Sequence, residues 1–258
     1  MSEEHPAPGA PTSLHATARD ERVPAWTRYQ DLAVGTRALW DLLKYEIVTG
    51  LFGDMPGALG LLMRRTFYPA ILGAMGKNVT LGKRVTVRHP AKIRIGSGVI
   101  VADDVVLDAY GTGGSGGIEL GDDVLIGRGS TLSTKGGAIR IGPRTNVGAQ
   151  NIVYARDTEV VLGAAILVAA NGYIMGGGVH GYDRTDVPIM DQHVAPRGVR
   201  IGDGCWLGAS VMVADGVTIG PECVIGAGSF VKEDVPAWSV AYGVPARVAR
   251  SRKAGEPA

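Results

Sequence analysis

IGDGCWLGASVMVADGVTIGPECVIGAGSFVKEDVP, residues 201–236, decides how this chain folds. Aliphatic side chains stand at Ile201, Leu207, Val213, Ile219, Ile225 and Val231, one at every sixth position. An α-helix turns once per about 3.6 residues, so it cannot keep a six-residue period on one side. A strand alternates with a period of two, which six satisfies, yet a continuous strand needs no turn residue in every sixth place. A short strand followed by a corner, repeated around a prism, meets both conditions. Four places after each aliphatic, a small or β-branched residue recurs, as at Val211, Val217 and Ser229. It lies two before the next aliphatic, so it too points inward. Three such sides close one coil, so the full repeat is three hexapeptides long.

The pattern extends upstream. Ile95, Val101 and Leu107 form one run, Leu120, Ile126 and Leu132 another, then Ile141 with Val147 and Leu162 with Val168. Val99, Val105, Val124, Ser130 and Thr145 fill the second inward position. About seven coils fit between residues 75 and 236. The expected fold is mainly β: a parallel β-helix preceded by a helical segment. Spacings of nine, from Leu132 to Ile141 and from Val153 to Leu162, imply short corner loops, which would carry Tyr154 and Asp157. Between Ile174 and Ile201 the spacing is 27, so the chain leaves the coil in an insertion over 175–200. A long loop on a rigid repeat is where function concentrates.

Before the repeat, Leu39, Leu42, Leu43, Ile47 and Leu51 recur at helical steps, which predicts a helix over 31–52. Asp54, Met55 and Pro56 read as the capped start of a second helix. The apolar run from Leu59 to Leu72 is interrupted by Arg64 and Arg65, too soon for a membrane span. The pair is expected to cap the next domain, a peripheral membrane contact being the lesser reading. Residues 1–24, rich in Pro, Ala and charge, read as a mobile tail without the apolar core of a signal peptide, and a cytoplasmic location follows. The expected organisation is thus a tail over 1–24, helices over 25–74, the β-helix over 75–240 and a closing segment over 241–258.

Composition narrows the function. The 258 residues carry a net charge of +1, which excludes the basic excess of a dedicated nucleic-acid binder. Two cysteines exclude a disulfide scaffold. Cys205 and Cys223 stand four places after Ile201 and Ile219, one coil apart, and are expected as reduced thiols stacked inside adjacent coils.

The quoted stretch, closed by AYGVPARVAR over 241–250, resembles the hexapeptide-repeat acyltransferases, a left-handed parallel β-helix family. The nearest likeness is to its maltose, galactoside and polysaccharide O-acetyltransferase branch, and it covers roughly residues 75–250. The resemblance implies a homotrimer that moves an acetyl or other acyl group from a coenzyme A thioester to a hydroxyl, as of a sugar or glycoside, or to an amine, without a metal. It implies that the catalytic histidine, on a loop leaving the coil, is His180. Trp206 matches an aromatic beside the pantetheine channel, Ala209 and Ala227 match backbone contacts to the cofactor, and Arg247 and Arg250 match residues near its phosphates. Lys232 is the counterpart of a phosphate-side lysine, displaced by one position: Val231-Lys232-Glu233-Asp234 stands where the family reads Val-Thr-Lys-Asp.

The chemistry needs a base, because an alcohol is protonated at neutral pH and histidine is the residue poised to accept its proton. Of five histidines, His5 and His15 fall in the tail, His89 is expected on the outside of the coil, and His193 shares the insertion as the rival of His180. Asp183, Asp186 and Asp191 could orient the imidazole or touch a sugar, and Tyr154 and Asp157 could face an acceptor. Asn151 holds an inward position and reads as structural, whereas Trp206 should point outward. Two alternatives stand beside the acyltransferase: a non-catalytic scaffold on the same prism, and a zinc carbonic anhydrase of the same fold. The latter needs converging histidines, and no pair has the five-residue spacing used there.

Overall fold

The computed structural model describes residues 23–111, 116–192 and 194–253. The tail with His5 and His15 lies outside these residues up to residue 22.

Among the described residues, three parallel sheets form the sides of a seven-turn β-solenoid. The first runs from Ala74–Met75 to Thr218–Ile219, the second from Thr80–Leu81 to Val224–Ile225, and the third from Thr86–Arg88 to Phe230–Val231. A hairpin of Ser239–Gly243 and Ala246–Ser251 adds two strands to the second sheet. The aliphatic columns face inward as their spacing demands: Ile201, Leu207, Val213, Ile219, Ile225 and Val231 are each 1–2% exposed. Burying each such side chain contributes about 1.5–3 kcal/mol, so the coils hold one another through a continuous apolar core. In the first sheet Ile201 pairs with Leu162 below it and with Ile219 above it. The path from Leu162 to Ile201 is more than twice that from Ile201 to Ile219, and the surplus is the insertion.

The second inward column is fully buried as well. Where it is polar, it bonds to corner backbone: Thr145 Oγ1 donates to the Gly163 carbonyl at 2.8 Å. Asn151 Nδ2 donates to the Gly148 and Ala169 carbonyls, and its Oδ1 accepts from Gly172 N–H, each at 2.8 Å. Asn151 is therefore the structural amide expected. Cys205 and Cys223 are buried free thiols, one above the other, with Cys223 N–H 3.4 Å from Cys205 Sγ. The adjacent Cys223 sulfur, and then burial, push the Cys205 thiol up.

The N-terminal segment departs from expectation in three ways. The helix predicted over 31–52 is broken. Helix α1, Ala25–Tyr29, widens into a π-type turn over Gln30–Val34, which ends at Gly35 with φ +80°, and helix α2 spans Leu39–Phe52. The leucine spacing marked α2 but not its buried side. Tyr45 and Val48 face the first coil, where the Tyr45 hydroxyl donates to the Val87 carbonyl at 2.9 Å, while Leu39, Leu43, Ile47 and Leu51 are exposed. Helix α3, Gly57–Phe67, starts after an extended Pro56 and has no side-chain cap; Asp54 instead lies 3.6 Å from Arg84. No helix of the described residues is long and apolar enough to cross a membrane.

Within α3, Arg64 is 1% exposed and its guanidinium donates to the carbonyls of Leu81, Phe52 and Met55 at 2.8–2.9 Å. It ties both helices to the first coil. Gly60 lets the helix start pack closely beside it, since a Cβ there would lie 1.9 Å from the Met55 carbonyl oxygen, one of the guanidinium's acceptors, and 3.1 Å from Arg64 Nη1.

His89 is also corrected: it is 5% exposed, not on the coil surface. Its left-handed backbone, φ +53°, turns the side chain under the π-type turn and edge-on to Tyr110, with ring centroids 5.0 Å apart. Burial, and then the Lys92 charge, push its pKa down.

Candidate active site

The insertion leaves the third sheet after strand Tyr173–Gly176 and rejoins the first at strand Val199–Ile201. Its two ends meet at a narrow neck. Gly177 and Gly198 take left-handed φ of +76° and +85°, and a Cβ on either would lie 2.3–2.4 Å from the Arg156 or Glu159 carbonyl oxygen. Both N–H groups donate at 2.7 Å to Oδ1 of Asp215, a buried carboxylate on the next coil.

Beyond the neck the loop is internally braced. Gly181 N–H donates to the Gln192 carbonyl at 2.9 Å. The Gln192 amide accepts from Arg184 N–H at 3.1 Å and donates to the Arg184 and Val187 carbonyls at 2.6 and 3.1 Å. This buried glutamine holds the loop's shape as one piece. Asp215 and Gln192 escaped sequence reasoning. Asp215 reads as an ordinary turn residue before Gly216, and nothing local announces that its partners are Gly177 and Gly198.

His180 sits three residues past Gly177, half-buried, with Nδ1 shielded from solvent and without a hydrogen-bond partner among the described residues. The expected orienting acids are elsewhere: Asp186 is paired with Arg184, Nε to Oδ1 at 3.0 Å, and Asp183 and Asp191 are exposed. His193 lies outside the described residues. Tyr154 is not on a corner loop but within strand Ile152–Arg156 of the third sheet, because the nine-residue spacing is taken up largely by a longer strand. Its ring packs beside the loop, 3.3 Å from where a Gly178 Cβ would be. Burial raises its phenol pKa. Asp157 turns the next corner at φ +54° and lies 3.7 Å from Arg156.

The other expected residues gather at a different edge. Trp206 points outward from the second sheet, 51% exposed, in a row between Leu167 and Val224. Ala209 and Ala227 stand exposed on stacked corners where the second sheet passes into the third, joined by Gly228 N–H donating to the Ala209 carbonyl at 2.8 Å. A Cβ on the neighbouring Gly208 would lie 2.6 Å from Ala227 N, so glycine there keeps the corner backbones in contact. Lys232 and Arg247 converge on Glu233, at 3.7 and 3.3 Å, and Arg250 lies across from Val240 in the terminal hairpin. His180 lies beyond the corner where the third sheet passes into the first, whereas Trp206 faces out from the second sheet, so the two stand on different parts of the prism. Among the described residues, no group of three His, Cys, Asp or Glu side chains could hold a metal ion.

Residues 198–233 match the bacterial transferase hexapeptide family (six repeats). The chain is 32% identical over 136 residues to a probable acetyltransferase of Mycobacterium tuberculosis, covering 53% of this chain and 45% of the relative. It is 38% identical over 102 residues to the galactoside O-acetyltransferase of Escherichia coli, covering 39% of this chain and 48% of the relative. It therefore spans less than half the length of either. Among solved structures, an N-acyltransferase of Bacillus cereus in complex with dTDP and 3-hydroxybutyryl-CoA is 20% identical, with a TM-score of 0.49, covering 70% of this chain and 84% of that one.

Proposed function

We propose that this protein is an acyltransferase that moves an acetyl or other acyl group from a coenzyme A thioester to a hydroxyl of a sugar or glycoside, with His180 as the general base. The observation that carries the reading is the placement of His180 on a braced, glycine-necked loop at the longest interruption of the repeat. The likeness to a galactoside O-acetyltransferase supports the acceptor class.

The reaction asks little of the leaving group, because a thiolate leaves readily. Its demand falls on the acceptor. The hydroxyl oxygen attacks the thioester carbonyl as its proton passes to the imidazole; the tetrahedral intermediate then expels the thiolate, which takes up a proton. A corner N–H can donate to the developing oxyanion. Trp206 and its apolar row would flank the pantetheine arm, and Lys232, Arg247 and Arg250 would meet the phosphates. Three strand spacings, about 14 Å, separate the Trp206 row position from Arg250, which suits an extended arm with its anionic end at the hairpin. The ion pairs of Lys232 and Arg247 with Glu233 are exposed, so they are weakly held and can yield to phosphate.

One chain holds His180 and the Trp206 edge apart, and His180 Nδ1 has no hydrogen-bond partner among the described residues. Both features support a homotrimer in which the loop of one copy lies against the Trp206 edge of the next. Sedimentation should give a trimer at micromolar concentration; a monomer would defeat a shared site. Activity is tested by thiol release from acetyl-CoA across a panel of sugars, glycosides and amines. Turnover is expected with a hydroxyl-bearing sugar or glycoside. No binding of coenzyme A, with no thiol release from any acceptor, would leave a scaffold as the better reading.

A further inference from the structure

We infer that Asp215 is a positioning residue: its carboxylate locks the neck of the insertion and thereby holds His180 in place. This inference rests on the role proposed for His180, but the lock itself is visible in the geometry. Asp215 is 6% exposed and sits on the corner two residues after the inward Val213. Its Oδ1 accepts from Gly177 and Gly198 N–H at 2.7 Å, and its Oδ2 accepts from Arg197 N–H at 3.0 Å. One carboxylate thus gathers donors from both ends of the excursion.

A second contact runs the other way. Arg197 Nη2 donates to the Asp215 carbonyl at 3.2 Å, and its guanidinium lies over Gly216, where a Cβ would fall 2.3 Å from Nε. Gly216, at φ +84°, is the residue that lets the arginine lie down there. Arg197 and Asp215 therefore hold each other by side chain to backbone in both directions.

The need for such a lock follows from the neck's own sequence. Gly177 and Gly178 are both left-handed, at φ +76° and +78°, and two consecutive glycines form a hinge with little preference of its own. His180 hangs two residues beyond that hinge. The Gln192 braces keep the loop's interior together, so with the neck free the loop would swing as a unit and carry the imidazole with it. A carboxylate suits the task better than a neutral side chain, since ionised oxygens accept several N–H bonds at full strength.

The test uses Asp215→Ala and Asp215→Asn in the full chain, alone and combined with His180→Ala. Alanine leaves three N–H groups without an acceptor. Asparagine keeps one oxygen but sets an NH2 against Arg197 N–H. Peptides covering residues 176–181 and 195–200 should exchange amide hydrogen at least about tenfold faster in Asp215→Ala, and less so in Asp215→Asn, while the remaining coils keep wild-type protection. Turnover should fall by about 10²-fold in Asp215→Ala and about tenfold in Asp215→Asn, the scale expected for roughly 1 Å of misplacement. Affinity for coenzyme A should stay within about twofold, because the substitution leaves its expected contacts at Trp206, Arg247 and Arg250 in place. In the His180→Ala background, Asp215→Ala should lower turnover no further.

Unchanged exchange at the neck in Asp215→Ala would overturn the lock. Faster exchange with wild-type turnover, or an equal loss with and without His180, would overturn the positioning role. A fully active His180→Ala would instead refute the proposed general base, and the exchange result would still report on the lock. If Asp215→Ala unfolds globally, the Asp215→Asn protein supplies the same comparisons.

Discussion

His180→Ala is expected to lower turnover by about 10²–10⁴-fold, the usual contribution of a general base. Coenzyme A binding should change little, because the expected contacts at Trp206, Arg247 and Arg250 are left in place. The pH dependence of turnover should change in the variant, because the side chain proposed to take the acceptor's proton is gone. Its residual rate should rise with hydroxide instead. Exchange of the neck amides should match wild type, since the Asp215 lock does not involve the imidazole. Turnover within a few-fold of wild type, with an acceptor that the wild type uses well, would remove His180 from the mechanism and turn attention to His193.

Arg64→Met should produce the largest loss of stability. The methionine fills a similar volume but has no donor, so the carbonyls of Leu81, Phe52 and Met55 lose their shared partner inside a nearly sealed site. Hydrogen bonds to a charged group contribute about 1.5–3 kcal/mol each, and water entering the site would return part of that. A net loss of about 3 kcal/mol is expected, which lowers the melting temperature of a protein this size by roughly 6–12 °C. Arg65→Met is the control. Arg65 is exposed and, among the described residues, donates to Asn78 Oδ1 at 3.1 Å, so its loss should stay within about 0.5 kcal/mol. Equal melting of the two variants would show that the buried guanidinium is not what ties the helices to the first coil.

Both predictions start from residues that were visible in the sequence, but to different degrees. His180 stood out because a repeat makes its own interruptions conspicuous: the jump from Ile174 to Ile201 needs no structure to be noticed. Arg64 showed only as a charge that broke an apolar run. Its burial depends on three carbonyls supplied by two helical segments and the first coil, which no local pattern brings together. Trp206 followed from alternation alone, since a residue five after an inward aliphatic must face out, and it does. Tyr154 was misassigned because a spacing of nine can be absorbed by a longer strand as well as by a loop, and the strand Ile152–Arg156 took it.

The sequence by itself determined the prism, its three sides, its inward columns, the stacked thiols and the place where the chain leaves the coil. Those features depend on side-chain alternation and corner chemistry, both of which act over a few residues and recur often enough to be read. Tertiary structure alone decided which side of α2 docks, that His89 lies under the π-type turn, and that Asp215 joins Gly177 to Gly198. The physical reason is common to these cases. A hydrogen-bond acceptor or a helix face has no preferred partner until the coils are stacked. Stacking then brings together groups as distant along the chain as Gly177 and Asp215, without leaving a trace in the sequence around either one.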